Sequence, residues 1–439
     1  MPDMNLMSLL FLAMASLLVI VFIYFRFDVM EPPVIMVGTM AFSVFFAMLT
    51  MERWSLPMDL KGWLYLFSAM LSFCVAGGWG YYQVFKNKEI SVSSSRHRQV
   101  LKSNNLVMFV LLFLVVVMAY FSYKEVYDLS VFLGNQDGPM NMIRTIRPAI
   151  EAQEVSMSRW MSYRMLFAQM VAYVYLYVFL ANFFGAGFRL GSLKLLLPVV
   201  AYLPFVILTT GRMEFLIFLI YMFIVAAILY QKNEGYTLRG SKKLIISLSA
   251  GVVAFIGLFL LMGYFTGKTV TEDRTPFVIL SHYAGVSIPA FSAAVEYPVL
   301  EDGYIGSHTL LGVYRVLEKF GILNNGIDIF LPFIDFDGID TNIYTAEWRY
   351  YLDYGFTGML VIMGIMGLGY TLLYNFLKFY SKHDFFILWY AVVSFPLFLS
   401  TLDEKLLMYL VGTPILYQTV MLFIVYKIVT MSCKKEEIC

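Results

Sequence analysis

The chain has 439 residues, 60% of them hydrophobic and only 14% charged, with a mean hydropathy of +0.74. Soluble domains are roughly half apolar and about a quarter charged, so an ordinary water-soluble enzyme is excluded. A formal net charge of +1 leaves no basic surface for a nucleic-acid partner, and three cysteines make no disulfide framework.

A helix crossing the hydrocarbon core needs about 20 mostly apolar residues. Eleven stretches qualify, near 4–25, 33–50, 62–83, 105–121, 165–184, 195–210, 213–230, 244–265, 356–377, 385–400 and 408–430. The two flanking Thr210 read equally as one re-entrant element. The opening "MPDMN" carries no basic residue, so no cleavable signal is expected. No internal repeat of the transporter kind is visible.

Lys and Arg gather in alternate connections: Lys86, Lys88, Arg96, Arg98 and Lys102, then Arg189 and Lys194, then Lys232, Arg239, Lys242 and Lys243. Lys378, Lys382, Lys434 and Lys435 continue the series. With eleven spans these share one side, and the positive-inside bias makes it cytoplasmic, with the amino terminus outside and the carboxyl terminus inside. The expected fold class is an all-α polytopic membrane protein. Residues 1–265 form a transmembrane bundle with an outer segment at 122–164, residues 266–356 a large folded extracytoplasmic loop, and residues 357–439 the last spans and a cytoplasmic tail. The loop is acidic and too long for a plain connector. Its stretches "FVILSHYAGVSIPAFSAAV" and "SHTLLGVYRVLEKFGIL" have helical period. The chemistry is therefore expected outside.

In "LTTGRMEF", Arg212 stands at the bilayer edge between two apolar stretches. A guanidinium there snorkels, pairs with Glu214, or grips an anionic lipid pyrophosphate as a rigid fork. Arg144 and Arg147, one turn apart, suit an amphipathic helix on anionic head groups or a phosphate contact. His282 and His308 are the outer histidines; no HxxxH or HExxH spacing exists, so no histidine metal site is expected. "PFIDFDGID" has the spacing of an acidic metal motif for nucleotide sugars, yet Asp335 and Asp337 fall on the outer side, where a solvated acidic turn fits better.

The sharpest signal is "NIYTAEWRYYLDYGFTG", residues 342–358, directly ahead of an apolar run. If 343–355 are helical, Tyr344, Glu347, Tyr351 and Tyr354 stack along one face, with Thr345, Arg349 and Asp353 on another. Aromatic rings offer surfaces to pyranoses, and carboxylates bind or deprotonate sugar hydroxyls. An interfacial aromatic belt accounts for the tyrosines but not for Glu347, Arg349 and Asp353 together.

The "TGR" of 210–212 at a helix junction and the 342–358 stretch before a late helix resemble the Wzy-type O-antigen and capsule repeat-unit polymerases. The amino-terminal plan is similar too, with "FRFDVMEPPVIM", "DLKGWLYL" and then a basic loop. The likeness covers the layout of the whole chain and is residue-specific at 210–212 and 342–358. It implies an inverting, metal-independent, GT-C-like glycosyltransferase without a cofactor, in the bacterial cytoplasmic (inner) membrane. Such an enzyme moves a growing glycan from undecaprenyl pyrophosphate onto an incoming undecaprenyl-pyrophosphate-linked repeat unit, building O antigen, capsule or exopolysaccharide. A chain-length-regulating co-polymerase and a flippase are the implied partners. On this reading Asp353, Glu347 or His282 is the base, with His308 in reserve. Arg212 holds the pyrophosphate, Arg349 holds phosphate or orients the carboxylate, Tyr344 and Tyr351 contact sugar, Arg274, Arg315 and Asn342 are further substrate-binding residues, and no metal takes part. A lipid-linked glycan ligase shares the architecture and donor. A flippase would instead place charges within the spans and keep the outer loops short.

Overall fold

The computed structural model describes residues 2–51, 55–86, 99–152, 154–209, 213–235, 240–246, 257, 275–296, 305–323, 331–336, 339–380, 383–431 and 434–437. In chain order, α1 (Pro2–Tyr24), α2 (Pro32–Thr50), α3 (Leu60–Phe85) and α4 (Asn105–Phe132) lead to the short amphipathic α5 (Met142–Glu151). Next come α6 (Arg159–Ala186), α7 (Leu197–Leu208, entered through a 3₁₀ segment Leu190–Leu196) and α8 (Met213–Glu234). A bent pair, α9 (Pro276–Gly285) and α10 (Ser287–Glu296), precedes α11 (Leu311–Lys319). The long α12 (Ala346–Phe379) is followed by α13 (Phe385–Ser394), α14 (Pro396–Leu399), α15 (Leu406–Leu410) and α16 (Thr413–Met431).

Among the described residues nine helices are long and apolar enough to span a membrane, and the bent pair would make a tenth. The chain is a multi-pass, all-α membrane protein. The nine overlap nine of the expected spans; 385–400 is the shorter apolar helix Phe385–Leu399, and 244–265 lies almost entirely outside the described residues. Helix starts follow local chemistry. The side chains of Asp59, Asn104, Ser158 and Thr275 each accept a first-turn amide, and Pro32 and Pro33 open α2. Apolar side chains cover both faces of these helices: Met36, Met70 and Val115 are buried in the bundle, while Leu12, Ile20, Phe113 and Val420 face outward, as lipid requires.

Two features shape the expected folded outer loop. Its first part packs on the bundle, with α9 and α10, inclined by 43°, against α2 and α3. Ser43 donates to the Ala284 carbonyl (2.6 Å), and Lys61 Nζ to the Val295 carbonyl (2.9 Å). Its last part joins α12, which begins at Ala346 and kinks at Gly355, where φ of 66° suits a residue without a Cβ. Residues 346–354 are thus a separate short helix ahead of the apolar span.

Strand β1 (Gln99–Lys102) pairs antiparallel with the chain-terminal strand Lys434–Glu437. Strands β2 (Ile334–Phe336) and β3 (Ile339–Thr341) form a hairpin that sets exposed Asp335 opposite Asp340. Like charges directly opposed repel, so this pairing does not itself stabilise the hairpin. Asp337 lies outside the described residues.

Candidate active site

The polar turn at the start of α12 is tied into the fold through Tyr344, Arg349, Tyr350 and Asp353. Because the helix opens at Ala346, whose amide donates to the Ser400 carbonyl, Tyr344 and Thr345 precede it. Trp348 is sandwiched between Tyr344 and Tyr351, with ring centroids at 5.7 and 5.8 Å. Tyr344 is 1% exposed and donates its hydroxyl to the Pro332 carbonyl, so the expected sugar-stacking face is filled by tryptophan. Tyr351 is half-buried between Trp348 and Tyr65, and Asn342 is half-buried in the approach from β3.

The polar residues of the turn hold two distant segments. Arg349 Nε donates to Asp403 Oδ1 at 3.0 Å, and Tyr350 donates to Glu404 Oε1 at 2.6 Å. Glu404 in turn caps α15, its two oxygens accepting from the amides of Leu407 (2.6 Å) and Met408 (3.0 Å). Burial pushes the Glu404 carboxyl up to about 7 against the pull of these donors. Asp353 accepts from the amides of His308 (3.1 Å) and Thr309 (2.8 Å) and from the Thr309 hydroxyl (2.6 Å). Three donors on this carboxylate fix the loop ahead of α11, and Oδ1, with one donor, keeps acceptor capacity. Glu347 is wholly buried, with neither oxygen in hydrogen-bond geometry among the described residues.

Each clamped segment delivers one cation. Lys405 follows the Asp403–Glu404 anchor, and α11, launched from His308–Thr309, carries Arg315. Gly312 seats α11. A Cβ there would lie 2.7 Å from the Gly412 Cα, so only glycine lets the helix cross the turn ahead of α16 this closely. Arg315 stands one turn beyond Gly312 on the same face.

Arg315 and Lys405 line a cavity of about 320 Å³ enclosed by α6, α8, α11, α13, α15 and α16. Glu214 from the first turn of α8, Gln169 and Tyr173 from α6, Tyr221 from α8, Tyr409 from α15 and Gln418 from α16 complete the polar lining. Gln169 Nε2 donates to the Tyr173 hydroxyl (3.1 Å), and the Tyr173 ring stacks on Tyr221 at 3.7 Å. Lys405 is the cation acting electrostatically on Glu214. Among the described residues neither Arg315 nor Lys405 forms a salt bridge. Two cations against one carboxyl make the lining attractive to an anion.

Of the residues singled out in the sequence, Arg315 reaches the cavity. Arg349, Asp353 and Glu347 belong to the shell behind it, and Tyr344 to the core. His282 is half-buried in α9, its ring edge-on to Tyr283, and does not line the cavity. His308 contributes its backbone amide to Asp353. Arg144 is exposed on α5, whose apolar residues Met142, Ile143 and Ile146 pack with Val126 and Leu208. Arg212 and Arg274 lie outside the described residues. Sequence reasoning missed Lys405 and underrated Glu214, which it weighed only as a partner for Arg212. The signal for Lys405 was present: "TLDEKLLMYL" sets three consecutive charges between the last two apolar stretches, where charges are costly. Comparison with protein-family models, curated proteins and solved structures returns no match.

Proposed function

We propose that this chain is a membrane glycosyltransferase that polymerises undecaprenyl-pyrophosphate-linked repeat units. The observation that carries the reading is the pair of cations, Arg315 and Lys405, carried beside Glu214 by segments that α12 anchors, without salt-bridge partners among the described residues. When a glycosidic bond to pyrophosphate breaks, negative charge grows on the leaving group, and positioned cations stabilise it. The guanidinium grips two oxygens at once, and the ammonium supplies a point charge. Glu214 is the group best situated to take the acceptor hydroxyl's proton, a role the expected bases Asp353, Glu347 and His282 fill less well. One base and one displacement give inversion without a metal ion.

Eleven crossings, an external amino terminus and a GT-C-like layout suit this reading, because the cavity end then faces outward and the basic connections face the cytoplasm. The protein would act in the bacterial inner membrane beside a flippase and a chain-length regulator. The test is reconstitution in liposomes with synthetic undecaprenyl-pyrophosphate-linked repeat units. Elongated glycan and released undecaprenyl pyrophosphate are expected, and both should vanish in Arg315→Ala. Transfer to lipid A core alone would make the protein a ligase. Transbilayer movement without new glycosidic bonds would make it a transporter.

A further inference from the structure

A second polar cluster lies at the end of the bundle away from the cavity, and the chemistry above does not use it. Helix α8 measures the separation: Glu214 lines the cavity, and Gln231 belongs to the cluster, about 25 Å further along the axis. There Lys378 Nζ lies 2.6 Å from Asp28 Oδ2 and 3.7 Å from Glu31 Oε1. Asp28 also accepts from the Met30 amide (3.0 Å), Gln231 Nε2 (2.8 Å) and the Tyr374 hydroxyl (3.0 Å). It is a fully solvated carboxylate in all but water, and Lys378 neutralises it.

Glu31 is placed differently. It is wholly buried, Asn375 Nδ2 donates to its Oε2 at 3.2 Å, and among the described residues no donor lies within hydrogen-bond distance of its Oε1, Lys378 Nζ standing 3.7 Å away. The charges and titratable groups around it are few. The α1–α2 turn supplies Asp28 and, further off over the Phe85 ring, Arg26. Helix α3 brings Tyr81, α12 brings Lys378 and Tyr374, and α13 brings Tyr390. The tyrosines are neutral at physiological pH, so among the described residues two buried carboxyls share one close ammonium and one negative charge is in excess. An unpaired charge in such a setting is costly, and a proton is the smallest ligand that removes it.

We propose that Glu31 is a proton-binding site: it holds a proton in the resting protein and releases it under alkaline conditions, loosening the α1–α2 turn from α8 and α12. A proton would also give Oε1 or Oε2 a donor of its own. The direction agrees, since burial pushes the Glu31 carboxyl up to about 8, Lys378 pulling the other way. The stability held by the protonated form is complete below the usual carboxylate value of 4.5 and is lost as pH rises through about 8. This inference is independent of the reading of the cavity.

The test is infrared difference spectroscopy of the full chain in lipid nanodiscs, titrated from about pH 6 to about pH 10 to bracket the expected loss. The background carries Glu347→Gln and Glu404→Gln, which remove two other wholly buried carboxyls. In it a protonated-carboxyl band that disappears as pH rises through about 8 is expected and should be missing once Glu31→Gln is added. The decline of Tm with pH should be shallower with Glu31→Gln. Absence of a band titrating near 8 in that background, or its persistence with Glu31→Gln, overturns the proposal. Should Glu31→Gln fail to accumulate, Glu31→Asp keeps a carboxyl and must shift the band's position or midpoint; an unmoved band is equally fatal.

Discussion

Replacing Asp353 by Asn keeps the size of the side chain but turns one of its two acceptor atoms into a donor. Asp353 Oδ2 now receives both the Thr309 amide (2.8 Å) and the Thr309 hydroxyl (2.6 Å), while Oδ1 receives the His308 amide (3.1 Å). Asn keeps one acceptor atom, so with that oxygen turned to Thr309 it is the His308 amide that faces another N–H. One charge-assisted bond is lost and the rest are weakened, at a cost of about 2–3 kcal/mol. Thr309→Val removes only the hydroxyl, together with its 3.0 Å contact to the Tyr354 hydroxyl, and should cost about 1–2 kcal/mol. Since both changes act on one bond, the double variant should fall short of the sum by about 1 kcal/mol. Unfolding of the four proteins in mixed micelles measures each term, and elongation assays on the same samples report activity. If Asp353 positions α11, activity and stability decline together across the series. If Asp353→Asn abolishes elongation while stability is untouched, the carboxylate is a base after all and the clamp argument is wrong.

Gly312→Ala forces a Cβ to within 2.7 Å of the Gly412 backbone and should cost about 1–3 kcal/mol with loss of elongation, whereas Gly369→Ala, with nothing within 4 Å, should be tolerated; thermal unfolding of both variants decides. The Glu404 carboxyl is pushed by burial from 4.5 to about 7, so its stabilising share is complete below 4.5 and lost as pH rises through about 7. Glu404→Gln should remove that slope, worth at most about 3 kcal/mol, in unfolding curves compared with wild type across pH. Arg315→Gln and Lys405→Gln should each lower elongation by about 10²–10³, while surface-like stability changes stay within about 0.5 kcal/mol; Arg315→Gln with normal product ladders would remove the cavity from the mechanism.

Much of the fold was legible because a membrane span is a local property: about 20 apolar residues in a row need no partner to be recognised. Nine helices overlap stretches read that way, and Gly355 marks the boundary between the polar turn and the span beyond it. The 342–358 segment was legible as a place of unusual polar density, but the identity of its partners was not. Arg349 and Tyr350 each reach 54 residues ahead to Asp403 and Glu404, and Asp353 reaches 44 residues back to Thr309. Helical periodicity put Tyr344 and Tyr351 on one face, yet nothing in it says that Trp348 fills the space between them. The same limit hid Lys405, whose neighbours in sequence are anchored by α12 and whose neighbour across the cavity comes from α8. Hydropathy and helical period are set within a few turns of chain, so the sequence alone determined that this protein crosses the membrane many times. Hydrogen-bond and charge partners are set by which helices meet, so only the tertiary structure decided that Asp353 and Arg349 serve as anchors and that Arg315, Lys405 and Glu214 share a cavity.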